Sequence, residues 1–302
     1  MIMTPFSKTP APRAADWGFS VTIGIGIIAE MGRSIITVTD RKVDFGSYGA
    51  DRAVDKVHLL VAHHVGEHDD FCALWFALLA GDDVEYVEPI VIRAKELLNH
   101  SSDHPASEIV DALDSAFAES IRKQIENKVL RKRGFTSKSF AETGKQKCPS
   151  SAYLTLCERI DRVKLNIKFL LGGYDVSNNA HLFEIDGENA PKCYDSLGMW
   201  AIGSGAYTAL SCLSYYVNKF GALNRKSTEE ALFFALGAKF MAESSGTVGR
   251  DTLAEIVTFD NVRTVGNKTV DSVREIWDSE ASLRVPSDIE NRIRELKKRD
   301  NW

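Results

Sequence analysis

Two β-branched runs near the start of the chain carry its clearest hydrophobic pattern. Residues 20–28 and 34–39 are rich in Val, Ile and Thr, which are frequent in strands. Residues 30–33 between them have the polarity and the glycine that are typical of a turn. The pattern therefore predicts an antiparallel hairpin, followed by a third strand at residues 57–62.

The chain then changes to longer apolar segments. Residues 71–79 are strongly apolar. Asp82 or Asp83 can cap a second helix that runs to about Leu98.

A long helix is predicted after Pro105, because apolar residues recur at steps of three to five positions up to Val129. The basic residues before Gly134, and the glycine itself, are typical of a helix end. Residues 134–150, rich in Ser, Thr, Lys and Gly, are expected to form a mobile loop, and residues 151–164 a short helix.

The second half has blocks of strands followed by blocks of helices. Ser227 can cap one helix with its hydroxyl, and Glu229 and Glu230 follow in the first turn. This order favours antiparallel sheets in an α+β fold over alternating βαβ units. We predict strands at residues 165–175, 181–187, 199–202 and a last one at 253–259, and helices at residues 206–219, 227–243 and 287–298.

Composition excludes several classes of protein. Of the 302 residues 44% are hydrophobic, and the formal net charge of −5 gives no general attraction to nucleic acid or anionic membranes. No apolar run approaches the roughly 20 residues of a membrane helix. The first 18 residues lack the apolar core of a secretory signal. Five scattered cysteines without a CxxC pair favour a reduced, cytoplasmic setting.

The opening hairpin places a carboxylate and an amine at an informative spacing. Asp40 ends the second strand, and Lys56 follows sixteen residues later. This arrangement resembles the opening hairpin of proteasome β-type subunits, members of the N-terminal nucleophile (Ntn) hydrolases. In that family a threonine heads the first strand, an aspartate ends the second, and a lysine follows after sixteen residues. Further segments similar to the family lie, in the expected order, at residues 171–175, 183–189, 201–205 and 227–232.

The resemblance covers roughly residues 20–98 and 165–259. It implies a four-layer αββα sandwich, with two antiparallel sheets face to face and helices on both outer faces. Residues 1–19 are then an N-terminal extension or propeptide, and residues 20–302 a single domain with a helical, basic insertion at about residues 100–164. The alternative is an unrelated α+β domain in which that insertion is a helical subdomain.

The resemblance also implies a chemistry. An Ntn hydrolase attacks with the side-chain oxygen of its first residue and uses that residue's α-amine, of ordinary pKa about 8, as the base. Lys56 would favour the ionised oxygen, and Asp40 would keep Lys56 charged and oriented. Thr22 is the nucleophile when positions are counted from the turn, and Ser20 is the alternative nucleophile when they are counted from Gly24. Two residues apart on a strand, both side chains face the same way.

Two further residues complete the implied catalytic set. Gly66 is the best position for a backbone N–H that stabilises an oxyanion, and Ser204 corresponds to a serine that orders the nucleophile and its water. Ser204 can equally be a helix N-cap beside a glycine turn. The family's Asp-x-x-Ser-Gly segment would end at Ser245 and Gly246, but its acid would fall on Ala242, so we assign no residue to it.

The implied function is cleavage of peptide or amide bonds by a threonine- or serine-type hydrolase. Phe19 precedes Ser20 and Val21 precedes Thr22, so neither candidate follows the glycine typical of the family's self-cleaving propeptides. The alternative is a catalytically inactive, proteasome-like structural or binding protein, in which the Asp–Lys pair is an ordinary ion pair.

No cofactor or metal is implied. The histidines and aspartates of residues 58–70 are suitable ligands for Zn or Fe, but their spacing matches no ligand motif. Residues 122–147 hold nine basic and two acidic side chains, which indicates a solvated helix end or a docking surface for a partner; nucleic acid is not favoured, because few aromatics are interleaved. Apolar residues cover more than one face of the helix at 227–243, so we expect a homo-oligomer; the alternative is that this helix is buried beneath residues 285–302.

Overall fold

The computed structural model describes residues 22–41, 43–44, 49–50, 56–64, 71–98 and 104–281. Over these residues the chain is an α+β protein with two antiparallel five-stranded sheets and a two-stranded ribbon. The strands are β1 Ile23–Ala29, β2 Ser34–Asp40, β3 Val43–Asp44, β4 Gly49–Ala50, β5 Val57–His64, β6 Phe71–Gly81, β7 Ile167–Tyr174, β8 Ala180–Ile185, β9 Lys192–Cys193, β10 Met199–Gly203, β11 Thr252–Thr258 and β12 Asn261–Thr264.

Helices connect and cover these strands. The helix α2, Ala106–Ile125, continues through a π-helical turn at Glu126–Leu130 and a 3₁₀ turn at Arg131–Arg133. Gly134 ends it in the left-handed conformation, with φ of 77°. None of the helices in the described ranges is long and apolar enough to cross a membrane. The α-helices are α1 Val87–Leu97, α2 Ala106–Ile125, α3 Ser137–Lys147, α4 Ser150–Asp161, α5 Ala206–Phe220, α6 Thr228–Glu243 and α7 Asn267–Ile276.

The first sheet joins strands from both ends of the chain. Its order is β10-β1-β2-β11-β12, whereas the second sheet has the order β5-β6-β7-β8-β9. Ile23 at the start of β1 pairs with Gly203 at the end of β10, and Asp40 at the end of β2 pairs with Thr252 at the start of β11. This register places the turn after β10 and the segment before β11 at the same end of the sheet as the start of β1.

The two sheets pack face to face through one apolar core. Ile28 and Ile35 of the first sheet share this core with Leu170 and Leu182 of the second. Gly26 permits the close approach, because a Cβ there would lie 3.0 Å from the Leu182 side chain and 3.2 Å from that of Leu170. The inner faces therefore interdigitate as they do in sheet-on-sheet packing.

Helices lie against the opposite faces of the sheets. Ile25 and Ile27 alternate with the inward-facing residues of β1 and form a second core with α5 and α6. The helices α1 and α2 contact the second sheet through β5 and β8. Phe234 of α6 is 6% exposed and packs on Tyr216 and Phe220 of α5. The apolar excess of α6 is thus accounted for within one chain and does not itself require a second copy.

The prediction of a mobile loop at residues 134–150 is wrong, because α3 occupies most of it. Thr136 and Ser139 form a capping box at the start of α3, each side chain bonding the other's backbone N–H. Phe140 then packs against Phe135 and Tyr153. A local cap and a small apolar core therefore outweigh the polar composition of this segment.

Other boundaries also differ from expectation. Residues 71–79 belong to the strand β6, so the helix that follows is the first α-helix among the described residues and not the second. The strand β12 follows the strand predicted to be the last, and α7 was not predicted. The predicted helix at residues 287–298 lies outside the described residues.

Candidate active site

Three side chains from distant positions in the sequence meet where β1 begins and β2 ends. Thr22 precedes β1, Asp40 ends β2, and Lys56 precedes β5. Lys56 Nζ donates to Asp40 Oδ1 at 2.6 Å and to Thr22 Oγ1 at 2.5 Å, and Thr22 Oγ1 donates to Asp40 Oδ1 at 3.1 Å. The hairpin explains the contact between Thr22 and Asp40, because the start of one antiparallel strand lies beside the end of its neighbour.

Asp40 is fully buried and accepts hydrogen bonds at both carboxylate oxygens. Besides the two side chains, the backbone N–H of Ile23 donates to Oδ1 at 3.1 Å, and that of Gly249 donates to Oδ2 at 2.9 Å. A buried carboxylate without such partners would be strongly unfavourable. Four donors therefore satisfy this carboxylate and fix its orientation.

Lys56 is 4% exposed, and its amine lies between a carboxylate and a hydroxyl. Burial lowers the pKa of Lys56 from its ordinary value, and the adjacent Asp40 carboxylate offsets part of this shift. A lysine with a lowered pKa exchanges protons with a neighbouring group more readily than a solvated one does. The arrangement can therefore stabilise negative charge on Thr22 Oγ1 or take part in moving its proton.

The turn after β10 holds the backbone of Thr22. Ser204 Oγ accepts from the Thr22 N–H and donates to the Thr22 carbonyl oxygen, both at 3.3 Å, and the Gly205 N–H also donates to that oxygen at 3.4 Å. A Cβ on Gly203 would lie 2.4 Å from the Thr22 oxygen, and the φ of Gly203 is 97°. The Gly-Ser-Gly turn therefore lies close to the Thr22 backbone, and glycine at position 203 is what allows this approach.

The structure brings together four of the six residues considered as site residues. Thr22, Asp40, Lys56 and Ser204 form one hydrogen-bonded group. Gly66 and the alternative nucleophile Ser20 lie outside the described residues.

The segment after α6, in which the sequence identified no site residue, contributes the backbone of Gly249 to the site. Ser245 Oγ bonds within its own turn, donating to the Ala242 carbonyl oxygen at 2.8 Å. Gly249 supplies the backbone N–H on Asp40, and the buried Lys239 lies beneath this segment. Gly249 has no side chain that could have signalled the contact, whereas a lone lysine in the apolar run of α6 was a visible signal.

No cluster of His, Cys, Asp and Glu suited to a metal ion occurs among the residues with a described position. The histidines weighed as metal ligands include His63 and His64, whose side chains are not described, and His68, which lies outside the described residues.

No known family model matches this chain, and no curated protein has a significant sequence match to it. Functional inference therefore depends on the geometry above.

Proposed function

We propose that this chain is a proteasome-like Ntn hydrolase that cleaves peptide or amide bonds with Thr22 as its nucleophile. The observation that carries the proposal is the contact of Thr22 Oγ1 with Lys56 Nζ, 34 residues away in sequence, with Asp40 bonded to both. A hydroxyl beside a buried ammonium and carboxylate is the arrangement of an activated nucleophile. The layers of helix, sheet, sheet and helix support an αββα sandwich of the Ntn type.

The proposed reaction begins with hydrolysis of the peptide bond between Val21 and Thr22, in which one water gives a carboxylate on Val21 and a free α-amine on Thr22. Without this step the Thr22 nitrogen is an amide and not a base. The freed α-amine then removes the proton of Thr22 Oγ as this oxygen attacks the carbonyl carbon of the substrate amide. The amine passes the proton to the leaving nitrogen, and the C–N bond breaks. Water finally hydrolyses the acyl ester on Thr22, giving a carboxylic acid and regenerating the hydroxyl.

The surrounding residues would act on charge and position. Lys56 would stabilise the developing oxyanion of Thr22, and Asp40 would keep Lys56 oriented. Ser204 would hold the α-amine through its present contact with the Thr22 nitrogen. Gly66 stays the proposed donor to the substrate oxyanion.

One observation favours the catalytically inactive alternative for the uncleaved chain. Thr22 is only 2% exposed, and its nitrogen and carbonyl oxygen are both bonded to Ser204. In this state the hydroxyl has neither a free α-amine beside it nor access for a substrate. A chain that stays uncleaved would be a structural or binding protein.

Intact-mass measurement of the purified protein tests the choice. The hydrolase should yield a chain beginning at Thr22, and a peptide β-lactone should add its mass to that chain at the new terminus. Thr22→Ala should remain full-length and unlabelled, whereas Thr22→Ser, which keeps a hydroxyl, should still be cleaved. A wild-type protein that stays full-length and unlabelled contradicts the hydrolase and supports the inactive alternative.

Partners are part of the same proposal. Peptide or protein substrates follow from the reaction, and we keep self-association as an expectation. The helix α5, rather than α6, presents exposed aromatic side chains: Tyr207 is 85% exposed and Phe220 45%. The basic segment at residues 122–147 stays a proposed docking surface for an acidic partner.

A further inference from the structure

A second buried lysine lies behind the candidate site. Lys239 of α6 is 0% exposed, and its Nζ donates to Glu243 Oε1 at 2.5 Å and to the Arg250 carbonyl oxygen at 2.8 Å. Fully buried lysines are rare unless paired, because removal of the ammonium from water is unfavourable. A fully buried lysine thus lies within the apolar run of α6.

Glu243, the partner of Lys239, is itself held in place. Arg274 of α7 donates to both of its carboxylate oxygens, at 2.7 and 2.8 Å. The Arg274 guanidinium also lies over the Phe240 ring, 3.9 Å from its centroid. Arg274 of α7 and Lys239 of α6 therefore both bond the carboxylate, so that the Lys239 amine has little freedom to move.

The bond from Lys239 to Arg250 reaches the site in one step along the chain. Arg250 directly follows Gly249, whose N–H donates to Asp40 Oδ2. On the other side, the Asp251 carbonyl oxygen accepts from the Arg41 N–H at 3.2 Å, where β2 ends. The Gly249 N–H thus lies at the start of a short segment, residues 249–251. The end of β2 bonds this segment at Asp251, and Lys239 bonds it at Arg250.

We propose that Lys239 is a positioning residue for Asp40: by holding the Arg250 carbonyl, it keeps the Gly249 N–H on Asp40 Oδ2. This inference rests on the proposed role of the Thr22–Asp40–Lys56 group. A carboxylate that loses a backbone donor is less well stabilised as an anion and less restricted in orientation. Loss of Lys239 therefore loosens the acid that orients Lys56, although Lys239 itself touches neither Thr22 nor Lys56 in the contacts described.

The test compares Lys239→Met with Arg274→Met by NMR of protein labelled with ¹⁵N-glycine. Met keeps the length of the lysine but removes its donor. Arg274→Met breaks the hold on Glu243 and removes only the long, 3.5 Å bond from Arg274 to the Arg250 carbonyl, so the 2.8 Å bond from Lys239 stays in place. The Gly249 amide resonance is assigned by its loss in Gly249→Ala. We expect Lys239→Met to move the Gly249 amide proton upfield and to speed its hydrogen exchange roughly tenfold. Arg274→Met should lower thermal stability but leave this resonance near its wild-type position.

This readout requires no turnover, so it separates failure of the positioning role from failure of the hydrolase itself. An unchanged Gly249 resonance in folded Lys239→Met overturns the inference, as does an equal displacement in both variants, which would indicate a general role in stability. Should Lys239→Met not fold, Lys239→Gln keeps a donor on a shorter side chain. A smaller upfield displacement is then expected, and none at all overturns the inference.

Discussion

Replacement of Asp40 by Asn should leave Lys56 as a buried charge without its counter-ion. The two groups are 2.6 Å apart, with side-chain exposures of 5% for Lys56 and 0% for Asp40. At an effective dielectric constant of about 20, unit charges at this separation attract by about 6 kcal/mol, of which desolvation removes a large part. Removal of one partner of a buried pair typically costs about 3–5 kcal/mol. We therefore expect Asp40→Asn to lower the free energy of unfolding by about that amount at pH 7.

The pH dependence of stability provides a second, independent test of this prediction. Burial already holds the pKa of Lys56 below its ordinary value, and loss of the carboxylate lowers it further. Between the folded and unfolded pKa values the unfolded chain binds more protons, so stability rises with pH over this window. Asp40→Asn should therefore recover part of its lost stability as the pH rises from neutrality towards the ordinary lysine pKa of about 10.4.

Urea unfolding followed by circular dichroism measures both effects, and a double-mutant cycle supplies the control. Lys56→Met removes the charge that Asp40→Asn leaves unpaired, so the double variant should be more stable than the sum of the single effects by at least about 1.5 kcal/mol. It should also lose the rise of stability with pH. Strict additivity, or an Asp40→Asn variant within about 1 kcal/mol of wild type, would refute the reasoning.

The fold was largely predictable because local pattern and tertiary role agree. Successive side chains of the β-branched hairpin point alternately into the core between the sheets and into the core beneath the helices. The period of two in the sequence therefore matches the packing on both faces of the strands. The prediction for residues 134–150 failed because composition was given more weight than the capping pair Thr136 and Ser139, which is a local signal that the sequence displays. The loop prediction thus overlooked information that was present.

The site was predictable where side-chain chemistry carries it and unpredictable where the backbone does. Asp40 and Lys56 have a recognisable spacing. Strand periodicity alone cannot decide whether Thr22 or Ser20 is the nucleophile, because both lie on the same face of the strand. Gly249 approaches Asp40 across 209 positions and acts through its N–H, which every non-proline residue possesses. Contacts of this kind depend on tertiary placement and have no signature in residue type.

Two further predictions concern assembly and the turn that holds Thr22. Light scattering at micromolar concentration should give a mass above the 33.5 kDa of one chain, and Tyr207→Asp, a change at an 85% exposed residue, should lower that mass if α5 is the contact surface; a monomeric wild type contradicts self-association. Gly203→Ala should destabilise the protein by about 2–4 kcal/mol in urea unfolding and slow cleavage before Thr22, because its Cβ meets the Thr22 oxygen at 2.4 Å and its φ is 97°. Gly134→Ala is the control, since its φ of 77° is left-handed but no atom lies within 4 Å of the added Cβ. It isolates the backbone strain, of about 1 kcal/mol, and should leave cleavage unchanged; equal effects of the two substitutions on stability and cleavage would mean that contact with Thr22 is not what requires glycine at position 203.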